Sequence, residues 1–217
     1  MEVDSHNQAA GAEITRRRRV RPAATHRAER MARTRRMLID TGMALFAQRG
    51  FDEVTTEEIA TGAGVSTSTF FRYFPTKESL LFVGEYDYTS ILCEVFARQP
   101  VSLSDLDALF AAFVELAPMM ASVRARVAAY EQIIASSPLL RGREAAHHQA
   151  NVALVAATIA QRRSERLSPA IELIADVALT TLNRSHGRWL AGPPDVDLAD
   201  VIREDRRTLA RMRLLAD

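Results

Sequence analysis

The chain has 217 residues, of which 47% are hydrophobic, 25% charged and 6% aromatic, with a formal net charge of +1. That is enough for one small and one larger domain; no apolar run reaches the ~18 residues of a membrane span, and the polar, arginine-rich start lacks the apolar segment of a secretory leader, so the expected location is cytoplasmic, away from membranes. A single cysteine, Cys93, excludes an intramolecular disulfide and reads as a core residue, with redox sensing as the alternative.

The small net charge hides an asymmetry. Residues 1–36 hold ten arginines against Glu2, Asp4, Glu13 and Glu29, a net +6 that leaves −5 for the rest. Met1–Thr25 has few apolar residues and no periodicity, which predicts a disordered basic arm over residues 1–25. Its Arg16–Arg21 run can follow phosphates or enter a minor groove, or it can simply be solvated.

A first helix is expected over Ala28–Arg49, with Met31, Leu38, Met43, Leu45 and Phe46 on its apolar face, Arg33 and Arg36 toward its start and Gly50 ending it. Thr55-x-x-Glu58 then forms a capping box, with Val54 and Ile59 as its hydrophobic staple. Gly64 can take the positive φ that closes this short helix. Ser66 caps the next one, with Val65 and Phe70 at the staple positions. With Phe70 pointing inward and about 100° per residue, Ser68 and Arg72 lie nearly opposite, flanked by Thr67, Thr69 and Phe71. Hydroxyls and a guanidinium can bond bases or phosphates, and Phe71 can pack on a thymine methyl, so the pair of short helices has the logic of a helix-turn-helix whose second member reads a major groove. Pro75 stops that helix. Thr76 can cap a new one at Lys77, whose charge opposes the helix dipole and calls for an anion, either a DNA phosphate or Glu78.

Downstream, a long helix through Leu80, Leu81, Val83, Tyr86, Ile91, Val95 and Phe96 should link the reader to the rest, ending at Gln99–Ser104. Further helices are expected at Asp105–Leu116, Met119–Ala135, Leu139–Arg163, Pro169–Leu190 and Leu198–Leu215, punctuated by Pro118, Ser136-Ser137-Pro138, Ser168-Pro169 and Gly192-Pro193-Pro194. No strand alternation or repeat is present, so the chain reads as all-α with about nine helices.

The run T-T-E-E-I-A-x-x-A-G-V-S-x-S-T-F-F-R-Y-F-x-x-K-E, preceded by R-x-x-L-I-D-T-G-M-A-L-F-A-Q-R-G-F, resembles the DNA-binding domain of the TetR family of transcriptional regulators. The likeness implies DNA contacts at Thr67, Ser68, Thr69, Phe71, Arg72 and Tyr73, and a phosphate contact at Lys77; Thr55, at the head of the first short helix, joins them. Phe71 stands where the family usually has tyrosine, so a hydroxyl-to-phosphate bond is lost there. The resemblance further implies a helix-turn-helix domain over residues 26–76, an effector-binding and dimerisation domain over 77–217, a double-stranded DNA operator, a homodimer and no cofactor.

Two stripes could serve that dimer, Ile171, Ile174, Ala178, Leu182, Ser185 and Trp189 in one helix and Leu198, Val201, Ile202, Leu209 and Met212 in the next, although both could equally face a core. For the effector pocket, an apolar lining with a few polar tips is expected from Phe110, Phe113, Tyr130, Ile134, Leu154, Thr158, Leu179 and Asn183. Ile133–Glu144 also resembles the branch of the family whose C-terminal domains look like those of acyl-CoA-responsive regulators, which implies ligand phosphates near Arg141, Arg143, His147 or His148. The expected function is a ligand-responsive repressor released from a pseudo-palindromic operator by a small, largely apolar effector such as an acyl-CoA, without catalysis. The alternatives are an architectural DNA-binding protein with no effector, and a helical-bundle metalloprotein built on Glu144-x-x-His147, for which the second such pair and the further glutamates are missing.

Overall fold

A computed structural model describes residues 23–82 and 88–212, with side chains from residue 26 onward. These residues form ten helices and no strand: α1 (Ala23–Arg49), α2 (Thr56–Gly62), α3 (Thr67–Tyr73), α4 (Ser79–Phe82), α5 (Tyr88–Ala97), α6 (Asp105–Ala121), α7 (Arg124–Ser136), α8 (Pro138–Arg163), α9 (Pro169–Ala191) and α10 (Leu198–Arg211). The fold is therefore all-α, with α1–α3 as an N-terminal helix-turn-helix and a helical C-terminal domain. Of the helix expected after Lys77, the described parts are α4 and α5, on either side of residues 83–87; the expected passage through Val83 and Tyr86 falls outside the described residues. So do residues 1–22 of the expected arm, whereas Ala23–Thr25 already belong to α1.

Local chemistry sets the short elements. The Glu58 amide donates to Thr55 Oγ1 at 3.2 Å while the Thr55 amide donates to Glu58 Oε2 at 2.8 Å, a complete capping box. Val54 and Ile59 are both buried as its staple. Gly64 carries φ +69°, the left-handed turn that glycine adopts without a Cβ clash, and Ser66 Oγ then accepts from the Thr69 amide to start α3. Pro118 does not end α6, contrary to expectation. The helix continues one turn past it because Leu116 and Ala117 are buried there, and the chain instead turns at Ser122–Val123, where α7 departs at 96°.

Two cores result. Leu38, Phe46, Ile59, Phe70 and Phe74 join α1–α3, and the same core takes in Leu80 and Leu81 of α4, Ile133 and Ile134 of α7 and Leu140 of α8. The second core, built from α5, α6, α8, α9 and α10, includes Phe96, Phe113, Ile159, Leu182, Trp189 and Ile202. Burying each such side chain stabilises by about 1.5–3 kcal/mol. Asp105 and Asp205 are also buried, but paired: Arg162 donates to Asp105 at 2.7 Å with Arg163 beside it, and Asp205 accepts from Ser185 Oγ at 2.8 Å and from Arg188. No single helix among the described residues is long and apolar enough to cross a membrane.

Candidate nucleic-acid interface and effector cavity

Phe70 and Phe74 are fully buried and fix the rotation of α3. Ser68 and Arg72 are exposed and Phe71 is 51% exposed, with Thr67, Thr69 and Tyr73 half-buried at the edges of the same face. The expected reading face is thus the solvent face. Its side chains are held locally: Phe71 meets Phe70 edge-on at 5.5 Å, the Arg72 guanidinium lies 5.4 Å from the Tyr73 ring, and Thr69 Oγ1 is 3.0 Å from Ser66 Oγ.

Thr55 is exposed, but its hydroxyl is engaged in the capping box. The same box carries a charge lock, since Arg49 Nη1 donates to Glu58 Oε1 at 2.6 Å. The Thr55 amide first, then Arg49, hold the Glu58 carboxyl at about 2, down from 4.5.

Lys77 differs from its expectation. It does not head a helix, because Ser79 Oγ bonds the Thr76 carbonyl at 2.6 Å and α4 starts only at Ser79. Nor is it a solvated side chain. Its ammonium donates to the carbonyls of Phe51 at 2.7 Å, Val54 at 2.9 Å and, more weakly, Asp52 at 3.3 Å, and sits 4.3 Å from the Phe51 ring centre. An ammonium has three donors, and all three are engaged with the loop between α1 and α2.

A cavity of about 520 Å³ lies where the two cores meet. From α1 it is walled by Arg36, Ile39, Asp40 and Met43, from α4 by Leu80, Leu81 and Phe82, and from α7 by Val127, Tyr130 and Glu131. Glu144, His147, His148 and Asn151 of α8, and Leu179, Leu182, Asn183 and His186 of α9, close the far side. Arg36, expected toward the start of the first helix, lines this cavity.

Of the eight expected pocket residues, Tyr130, Leu179 and Asn183 line the cavity. Phe110 and Phe113 do not, because they are buried in the C-terminal core, and Ile134 packs into the reader's core. Leu154 is 40% exposed on α8 and Thr158 donates its hydroxyl back to the Leu154 carbonyl. His186 and Glu131, which also line the cavity, were missed, since sparse polar residues on α7 and α9 look like a solvated face. Among the segment tied to ligand phosphates, His147 and His148 reach the cavity, whereas Arg141 donates to the Ala135 carbonyl at 2.7 Å and neither Arg141 nor Arg143 is part of the wall.

Charges in the cavity are unevenly matched. Tyr130 donates to Glu144 Oε2 at 2.5 Å, and burial followed by the nearby Glu144 charge raises the Glu131 carboxyl above its usual range. His148 contacts Asp176 at 3.2 Å and Asn183 at 3.3 Å. His186 has a buried Nε2 with no partner among the described residues, and burial lowers its titration to about 4, so it is neutral at pH 7. No group of three or more metal-ligating side chains is assembled among the described residues, and Glu144 faces Tyr130 while His147 lies 5.8 Å from the Phe82 ring.

A capped helix-turn-helix with an exposed polar second helix, joined to a helical domain across a cavity that both help to wall, defines a helix-turn-helix transcriptional regulator. Residues 38–83 match the domain family described as bacterial regulatory proteins, tetR family, and residues 103–213 match the MftR C-terminal domain. The chain belongs to the TetR family. FadR from Thermus thermophilus, a TetR-family repressor solved with lauroyl-CoA, is similar in structure with a TM-score of 0.55 and 27% identity, covering 84% of this chain and 96% of that one. NalD of Pseudomonas aeruginosa, the secondary repressor of an efflux pump, shares the fold at a TM-score of 0.51 and 20% identity, with 82% and 96% covered. The regulator TcmR of Streptomyces glaucescens is 30% identical over 87 residues, which span 40% of this chain and 38% of TcmR.

Proposed function

We propose that this regulator is a homodimeric repressor that binds a pseudo-palindromic operator through α3 and is released when a small, largely apolar effector fills the cavity between its two cores. The observation that carries this reading is the composition of the cavity wall: Arg36, Ile39, Asp40 and Met43 come from α1, which packs directly on α2, while the opposite wall comes from α7, α8 and α9. A ligand there touches the reader domain itself. It can release DNA only by binding more tightly to the arrangement in which the two reading helices are wrongly placed.

On this reading Ser68, Phe71 and Arg72 face the groove, with Thr67, Thr69 and Tyr73 at its edges, and the chain divides into a basic arm over 1–25, a reader over 26–76 and an effector and dimer domain over 77–217. The dimer forms through α9 and α10, with most of the two stripes first singled out turned inward, Ile174 and Leu209 half-buried and Met212 56% exposed. Ile171, Ala178, Leu182, Ser185 and Trp189 are buried within one subunit, as are Leu198, Val201 and Ile202. The face left outside on α9 runs Leu173, Val177, Thr180, Arg184, Gly187 and Ala191, with Leu173 63% exposed and the others exposed or half-buried. It repeats at spacings of four and three, and its small residues let two helices approach closely.

An acyl-CoA is a candidate effector because the Thermus thermophilus FadR was solved with lauroyl-CoA. Selection of bound duplexes from a random pool should return an inverted repeat, and titrating effectors against it should lower affinity. A single non-repeated site would remove the dimer reading, and indifference to every apolar ligand that binds would favour a purely architectural role.

A further inference from the structure

We propose that the effector carries a cationic head: the cavity takes an amphipathic organic ammonium ion, held by the Glu131 and Glu144 carboxylates against the rings of Phe82, Tyr130 and His147. This rests on reading the cavity as the effector site and names the chemistry of its occupant.

Glu131 and Glu144 line the cavity together, and neither forms an ion pair with any lysine, arginine or histidine among the described residues. Glu144 has the Tyr130 hydroxyl as a partner, which stabilises a carboxylate but does not neutralise it. Two like charges sharing a partly buried space favour whatever cation can enter. Burial first, and then the neighbouring Glu144 charge, raises the Glu131 carboxyl.

Beside the carboxylates, Phe82 lies 6.5 Å from Tyr130 at 83° and 5.8 Å from His147 at 52°. Rings set at angles around one space offer faces and edges from several directions, the arrangement in which an ammonium gains from cation–π attraction. The neutral His186 adds no positive charge across the cavity, while Met43, Leu80 and Leu179 supply apolar surface for the tail. The cavity's two arginines, Arg36 and Arg126, are outnumbered by the three carboxylates Asp40, Glu131 and Glu144; of these five only Glu144 is half-buried and the others are exposed. An anionic head therefore meets a net-negative lining, and a cationic one does not.

The test uses the full-length protein and four probes below their micellar concentrations: decyltrimethylammonium, decanol, decanoate and lauroyl-CoA, each titrated calorimetrically. Decyltrimethylammonium should bind about tenfold or more tighter than decanol, with decanoate weakest, and Glu131→Gln and Glu144→Gln should each weaken the cation about tenfold while leaving decanol unchanged. Tighter binding of decanoate or lauroyl-CoA than of the cation, or cation binding indifferent to both substitutions, would overturn the proposal yet leave the effector reading intact, since the cavity would still be filled. If none of the four probes binds, the cationic head and the effector reading fall together.

Discussion

Glu58 is an exposed carboxylate whose charge the fold needs. It receives the Thr55 amide and the Arg49 guanidinium, and so stays ionised down to about 2. Its folded value lies below its unfolded one, so its contribution is complete above about 4.5 and is lost as pH falls from there through about 2. Urea midpoints of the wild type and Glu58→Gln should therefore differ at pH 7 and converge toward pH 2; a constant gap would contradict the lock. Arg72 and Lys77 make a second contrast at this scale. Arg72→Ala should leave the melting temperature unchanged and relax preference at one operator position by about 1–3 kcal/mol. Lys77→Ala should lower stability by about 1–3 kcal/mol, because it strands the Phe51 and Val54 carbonyls. Thermal melts and operator titrations on both variants separate the two roles, and an unchanged melt for Lys77→Ala would show that its ammonium is not a tie.

At the level of elements, α9 has a buried face and an exposed one. Trp189 is 1% exposed, donates to the Val196 carbonyl at 3.1 Å and has the Arg124 guanidinium 4.8 Å from its ring, so Trp189→Ala should cost about 3–5 kcal/mol of stability. Gly187 is exposed and a side chain there meets nothing within 4 Å in its own subunit. Gly187→Glu should keep the fold yet give monomers by sedimentation, with operator affinity lost through the broken linkage of two half-sites; an intact dimer would take this face out of the interface. The contrast also shows what a sequence can reveal. Thr55, Glu58, Gly64, Ser66 and Pro75 act on neighbours within a few residues, so α2, α3 and the outward turn of Ser68 and Arg72 were legible. The Trp189 stripe was legible as a stripe, but period 3.6 does not say whether a stripe meets its own core or a partner. Lys77 was misjudged because its acceptors at Phe51 and Val54 are distant in sequence. The cavity was least legible of all: it is a gap between α1, α4, α7, α8 and α9, and only packing decides that Phe110 and Phe113 fill core while Glu131 and His186 face the gap.

At the scale of the whole molecule, one coupling matters most. The reader and the C-terminal helices share the walls of a single cavity, and on the proposed function any effect of its occupant on DNA binding is matched by an equal effect of DNA on the occupant. A rearrangement that changes operator affinity about tenfold requires only about 1.4 kcal/mol of differential ligand binding. The most direct measurement is a closed cycle: operator affinity with and without saturating decyltrimethylammonium or lauroyl-CoA, and affinity for that ligand with and without saturating operator. The ligand should weaken operator binding, and operator should weaken ligand binding by the same factor. A ligand that occupies the cavity, shown by loss of binding on Leu179→Trp, while leaving operator affinity unchanged would contradict this coupling.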